Sequence, residues 1–199
     1  KRELAVFVSG VMGFLAVQHG DLVGLVYGDA AGVHARPAKG GELHLERHLA
    51  AVHDATTPAS APSDLTGLLR YVARTVRRRT ILVIVCDETT LPEPAAELLR
   101  RLGVQHEVLF LTIGDLDPTQ PAVADRRLVD IDTSAEVPGW LRHDRRLRGE
   151  LTALLAAEEQ QLRRRLDQLA VVHERVQDTD SAITAVFRLL ERHRHARRR

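Results

Sequence analysis

The sequence predicts an α/β fold, an open, mostly parallel, Rossmann-like sheet with helices on both faces. Three observations carry this. Strand-like and helix-like runs alternate along the chain, the pattern of a helix-covered parallel sheet. The runs Thr80 to Cys86 (TILVIVC) and His106 to Ile113 (HEVLFLTI) are apolar on both faces, as strands covered on both sides must be. Aromatic residues make up only 4%, so Leu, Val, Ala and Ile fill the core, which suits helices packed on such a sheet. With 199 residues the chain has room for one ordinary domain with a sizeable core and not for two large ones.

In order, Arg2 to Gln18 reads as a helix ended by His19-Gly20, followed by a Val and Leu-rich strand, Asp21 to Tyr27, closed by Gly28-Asp29. A weaker extended segment, Val33 to Arg36, runs into Pro37 and the Lys39-Gly40-Gly41 turn. Glu42 to His53 has apolar residues at mostly helical spacing, and the loop Thr56 to Ser63 follows. Ser63-Asp64 is a capping pair for a helix from Leu65 to Arg77, whose Leu65, Leu68, Leu69, Val72 and Val76 repeat every three or four residues. Thr80 to Cys86 is the expected central strand, with Asp87 directly after it.

Pro92 to Leu102 reads as a helix stopped by Gly103, and His106 to Ile113 as a second buried strand before Gly114-Asp115-Leu116-Asp117-Pro118. Arg127 to Ile131 is a short strand. A long Arg, Glu and Leu-rich helix runs from about Leu141 to Leu169, then a strand from Ala170 to Val176 and a helix from Asp180 to His195, begun by Thr179 or Asp180. The organisation expected is a single domain over 1–199, with 137–199 a C-terminal helical extension of it.

Charge and cysteine content exclude several classes. The formal net charge of +1 excludes strong global attraction to nucleic acid or to an acidic membrane. A single Cys excludes an internal disulfide and a four-cysteine zinc site, and a reducing, cytoplasmic compartment is the simpler assumption. Lys1 and Arg2 before the apolar stretch Leu4 to Val17 resemble a secretory signal superficially. Glu3 interrupts the charged region, Gln18-His19-Gly20-Asp21 is no small-residue cleavage site, and the run is shorter than the ~20 residues of a membrane span, so a buried amphipathic helix is expected. The chain does not begin with Met, which predicts that it is a piece of a longer protein.

In an open parallel sheet, ligands sit outside the carboxyl ends of the strands, so acidic residues just after strands come first. Asp87 is the best placed; its carboxylate is a ligand for a divalent cation, directly or through water, against the plainer reading of capping the loop before Pro92. Ser63 offers a second hard oxygen, against plain helix capping. His44 and His48 are four apart on one helix face, but His-Leu-Glu-Arg-His is not the zincin order, and a solvated helix face is the expectation. No Walker-type Gly-Lys-Ser/Thr is present, which argues against ATP hydrolysis. Cys86 ends a very apolar strand and reads as an inert buried thiol. The pairs Asp115 with Asp117 and Asp130 with Asp132 lie where Asp is common for local hydrogen bonding, and the basic tail Arg197-Arg198-Arg199 reads as a solvated terminus.

Gly20-Asp21-Leu22-Val23-Gly24-Leu25-Val26, the helix opened by Ser63-Asp64-Leu65, the strand ending in Cys86-Asp87, and Asp115 to Pro118 followed by Leu128-Val129-Asp130 together resemble the bacterial family of domain of unknown function fifty-eight. The resemblance covers nearly the whole chain, including Asp178-Thr179-Asp180 near the end. Members of that family are similar to von Willebrand factor A domains, which carry a metal-ion-dependent adhesion site. That site combines an Asp-x-Ser-x-Ser loop after the first strand, a Thr in a second loop and an Asp after the fourth strand. By resemblance Ser63 falls at the Thr and Asp87 at the last Asp. The Asp-x-Ser-x-Ser element has no match; in the family it lies just before the helix that here begins at Lys1, so either the sequence is cut there or the protein lacks it.

The resemblance implies a non-enzymatic protein-interaction domain that binds Mg²⁺ in its complete form, weakly or not at all in this chain. It also implies a protein partner of the MoxR-type AAA+ ATPase class and membrane-spanning helices upstream; the net charge of +1 predicts no nucleic acid or membrane contact by this segment. The rival is a metal-dependent hydrolase or phosphotransfer domain using Asp87 with Asp115 or Asp29 around the same cation. In a von Willebrand factor A sheet the first strand lies between the counterparts of Asp21 to Tyr27 and Thr80 to Cys86. Without it, those two strands either close up or take an extended segment from another copy or partner, giving an oligomer through an unpaired sheet edge.

Overall fold

The computed structural model describes residues 1–57, 60–87, 90–114 and 145–196. Their elements are α1 (Arg2–Gln18), β1 (Val23–Asp29), β2 (Gly32–Lys39), α2 (Glu42–Ala55), α3 (Leu65–Thr75), β3 (Ile81–Cys86), α4 (Glu93–Gln105), β4 (Glu107–Ile113), α5 (Arg145–Gln168), β5 (Val172–Val176) and α6 (Thr179–Ala196). The expected strand Arg127 to Ile131, the residues Asp115, Asp117, Asp130 and Asp132, the start of the long helix at Leu141 and the tail Arg197 to Arg199 lie outside the described residues.

A parallel three-stranded sheet in the order β3-β4-β5 organises the fold, with Ile81 opposite Glu107 and Leu109 opposite Val172. Parallel strands need crossovers, and α4 supplies the one between β3 and β4. Alternate residues of β4 leave opposite faces, and each face has its own helical cover. Leu109, Leu111 and Ile113 pack with Leu4 and Val8 of α1 and with Ala182, Ala185, Val186 and Leu189 of α6. Val108 and Phe110 pack with Leu65 and Leu69 of α3, Leu99 and Leu102 of α4, and Leu162 and Leu166 of α5. Helices therefore cover both faces, as an α/β fold requires.

Two expectations about the sheet need correction. The strand expected at the centre, β3, is an edge strand among the described residues, and β4 is the central one. Their burial agrees: Val108 to Ile113 are all buried, whereas Ile81 is 51% exposed and Leu82 to Cys86 are half-buried. Nor, among the described residues, does β1 join the parallel sheet. It pairs antiparallel with β2 in a separate two-stranded sheet, so β1 and β3 have not closed up.

The hairpin forms because Gly28, at φ +152°, lies close against the carbonyl of Gly32, where a side chain would collide. Asp29 Oδ1 then accepts the Ala31 N–H at 2.8 Å and closes the turn. β2 is longer than Val33 to Arg36 because the ladder passes Pro37 through a bulge. Val23 pairs with Lys39 and Leu25 with Arg36, so the residue without an N–H falls where pairing is interrupted.

Helix ends shift modestly. α4 runs through Gly103 to Gln105, with the His106 N–H on the Leu102 carbonyl at 2.7 Å, so Gly103 is an interior residue and not the stop. α6 is begun by Asp178, whose Oδ1 accepts the Ser181 N–H at 2.7 Å, one residue earlier than the expected Thr179 or Asp180.

Candidate functional site at the carboxyl end of the sheet

Asp87 directly follows β3, as expected, and is partly exposed. Lys1 Nζ lies 3.1 Å from its Oδ2, which brings the N-terminus of α1 to the carboxyl end of β3. This pairing is not readable from local patterns, since its partners lie 86 residues apart in the chain.

Ser63 reaches the same end by a different route. The short connection from α3 to β3 places the C-terminus of α3 beside the start of β3, and Leu65 and Leu69 pack in the same cluster as Leu82, Ile84 and Cys86. The helix therefore runs back along the strand, and the N-terminus of α3 lies toward Asp87. Ser63 is exposed and is not the cap. That role falls to Asp64, whose Oδ1 accepts the Gly67 N–H at 2.8 Å.

The tip of the hairpin fixes the loop that presents Ser63. Asp29 Oδ2 accepts the Ala61 N–H at 3.0 Å, and the Ala30 N–H donates to the Pro62 carbonyl at 2.9 Å. Two pairs of segments are thus joined, the start of α1 with the end of β3, and the end of β1 with the loop before α3. Asp29, a second carboxylate of the rival hydrolase reading, engages both its oxygens with backbone N–H donors.

Ser63 and Asp87 offer oxygens of the kind Mg²⁺ takes. One hydroxyl and one carboxylate already paired with an ammonium do not amount to an octahedral set, and among the described residues no group of three or more His, Cys, Asp or Glu is placed to hold a metal ion.

His44 and His48 correct an expectation. They do not form a solvated face: His48 is buried at 3% exposure, and the rings meet edge-on at 4.2 Å. His44 Nε2 is 3.0 Å from the Pro37 carbonyl and His48 Nε2 3.1 Å from that of Val23, so both rings tie α2 to the hairpin. A carbonyl only accepts, so each Nε2 carries the proton. Burial, and secondarily electrostatic repulsion from the neighbouring His44 and Arg36, hold the His48 pKa below its usual value, against the Val23 hydrogen bond. Cys86 is half-buried against the α3 and α4 face, more open than expected.

A family model described as "Protein of unknown function DUF58" matches residues 1–161. The chain belongs to that family. The DUF58 match ends within α5, so Leu162, β5 and α6 lie beyond it, although the described fold pairs β5 with β4 and packs α6 on the sheet. No curated relative and no solved structure matches this DUF58 chain. Among the described residues, no helix is long and apolar enough to cross a membrane.

Proposed function

We propose that this DUF58 chain is a non-enzymatic protein-interaction domain of the von Willebrand factor A type, with a truncated or degenerate metal-ion-dependent adhesion site at the carboxyl end of its sheet. The observation that supports the reading is the Lys1–Asp87 pair, which brings the start of α1 to the end of β3, alongside an exposed Ser63 in the loop before α3. A surface of this kind presents a carboxylate, a hydroxyl and helix-terminal N–H groups to a partner without requiring a nucleophile or a base. The engagement of Asp29 with Ala31 and Ala61 weighs against the hydrolase alternative, because its carboxylate holds a loop in place.

The sheet supports the same reading. α1 touches both β1 and β3, yet among the described residues the two strands belong to different sheets and each has a neighbour on one side only. An extended segment between them would unite the two sheets, as in a von Willebrand factor A domain, and the same apolar edges are where a second copy or a partner strand would pair.

The partner class we infer from the family resemblance is a MoxR-type AAA+ ATPase. Surface-immobilised ATPase titrated with the chain tests this. Binding that falls roughly tenfold in Asp87→Ala and in Ser63→Ala is expected for contacts near the centre of an interface. Absence of binding, or hydrolysis of a phosphoester that disappears with Asp87→Ala, would remove the proposal in favour of the enzyme.

A further inference from the structure

Two charge clusters flank β5 on opposite faces of the sheet. On the α5 side both carboxylate oxygens of Glu159 are engaged: Arg163 Nη2 lies 2.6 Å from Oε1 and Arg175 Nη1 2.5 Å from Oε2. On the α6 side Glu174 is held in the same manner, with Arg188 Nη1 3.1 Å from Oε1 and Arg192 Nη1 3.2 Å from Oε2. Glu174 and Arg175 are consecutive on a strand, so their side chains leave opposite faces, and the two clusters wrap the edge of β5 that β4 does not use. All six side chains line one cavity of about 270 Å³, which Thr112 of β4 also lines.

The charges in this cavity do not balance. Four guanidiniums face two carboxylates, an excess of two positive charges. Each guanidinium has five N–H donors, and these ion pairs engage one nitrogen on each, so donors remain. Arg175 Nε is buried without a hydrogen-bond partner among the described residues, which is unfavourable unless another acceptor enters. An ion-pair network serving only to close an edge strand needs no such surplus.

We propose that this cavity binds a phosphoryl dianion, either free orthophosphate or a phosphate monoester. Its charge matches the excess, where a carboxylate would neutralise only half of it. Planar guanidinium forks match the spacing of phosphate oxygens and donate in pairs. Glu159 and Glu174 already hold the arginines in place, so little side-chain freedom is left to lose on binding. The four arginines lie beyond the end of the DUF58 match, on or beside the edge strand away from β3, with Arg175 in register with Thr112 and Cys86; the proposal does not rest on the function proposed for Asp87 and Ser63.

Calorimetry on the whole chain, at neutral pH and matched ionic strength, with orthophosphate, phosphoserine and acetate as separate ligands, tests the proposal. Phosphate is expected to bind at least roughly tenfold tighter than acetate, and Arg175→Gln and Arg188→Gln are each expected to weaken it roughly fivefold or more. Arg188 is 58% exposed, so its replacement does not threaten the fold; Arg146→Gln, outside the cavity, should leave binding unchanged. Phosphoserine binding tighter than orthophosphate identifies an esterified ligand, and equal or weaker binding identifies the free ion. No heat with either phosphate, acetate binding as tightly, or affinity unaffected by Arg188→Gln would overturn the proposal.

Discussion

Asp29, the last residue of β1, and Ala61, in the loop before α3, are joined by a hydrogen bond in which the Ala61 N–H donates to Asp29 Oδ2 at 3.0 Å. With the Ala31 N–H on Oδ1, one carboxylate holds both the turn of the hairpin and the loop that presents Ser63. Asp29→Ala removes both bonds and is expected to cost about 1.5–3 kcal/mol, the range for a hydrogen bond to a charged acceptor. Urea unfolding measures the loss. Hydrogen exchange should show faster exchange at Ala31 and Ala61 than across β4; unchanged protection at Ala61 would mean that the loop is held by other contacts.

Two imidazoles make the fold sensitive to acid. Burial lowers the pKa of His48 from 6.5, and burial also lowers that of His106, with the Val76 backbone opposing it. In the unfolded chain each ring takes up its proton near 6.5, while in the folded chain it stays neutral to lower pH. Between those values the unfolded state binds more protons, so the contribution to stability is complete above about pH 6.5 and is lost as pH falls toward the folded pKa. The urea midpoint should therefore be lower near pH 5.5 than near pH 7.5, and the difference should shrink in His48→Gln/His106→Gln. An unchanged pH dependence in the double variant would refute this assignment.

The parts of the fold legible in the sequence are those where burial on both faces leaves no choice of residue. β4 reads as a strand because Val108 to Ile113 are buried on both sides, and α3 reads as a helix because Leu65 and Leu69 recur on its packed face. The antiparallel hairpin was hidden. Its turn, Asp29-Ala30-Ala31-Gly32, lacks the Asn-Gly or Asp-Gly signal, and β2 is mostly exposed with Pro37 in its bulge. At the candidate site the position of Asp87 was legible from its strand. The choice between Ser63 and Asp64 as cap was not, since both are favourable cap residues and only the Gly67 hydrogen bond decides. Among the contacts at β5, Glu159 with Arg163 is readable from its spacing of four, whereas Glu174 with Arg188 and Arg192 requires the packing of α6 on the sheet.

Leu166 is 1% exposed and packs with Phe110 and Leu99, so α5 covers the sheet on the same face as α4. Leu166→Ala is expected to destabilise the fold by about 2–5 kcal/mol, the loss of transfer energy plus a cavity that rigid neighbours do not fill. The exposed Leu154, at 56% exposure on the same helix, is the control, and Leu154→Ala should change stability by less than about 0.5 kcal/mol. Two separate thermal transitions, with only the weaker one shifted by Leu166→Ala, would show that residues 137–199 form a unit of their own.

One hydroxyl from Ser63 and one carboxylate from Asp87 leave an octahedral cation mostly to water, and the Lys1 ammonium 3.1 Å from Asp87 competes for the same oxygen. This chain should accordingly show no tight Mg²⁺ site, and calorimetry should detect only weak binding, in the millimolar range or above, that changes little in Asp87→Ala. The same variant should alter stability by less than about 1 kcal/mol, because the Lys1 pair is partly exposed and screened. Lys1→Ala separates the two effects: if the ammonium is the competitor, removing it should strengthen Mg²⁺ binding several-fold while Asp87 remains. Micromolar affinity in the unaltered chain, abolished by Asp87→Ala, would show that the residues present suffice and that no Asp-x-Ser-x-Ser loop is needed.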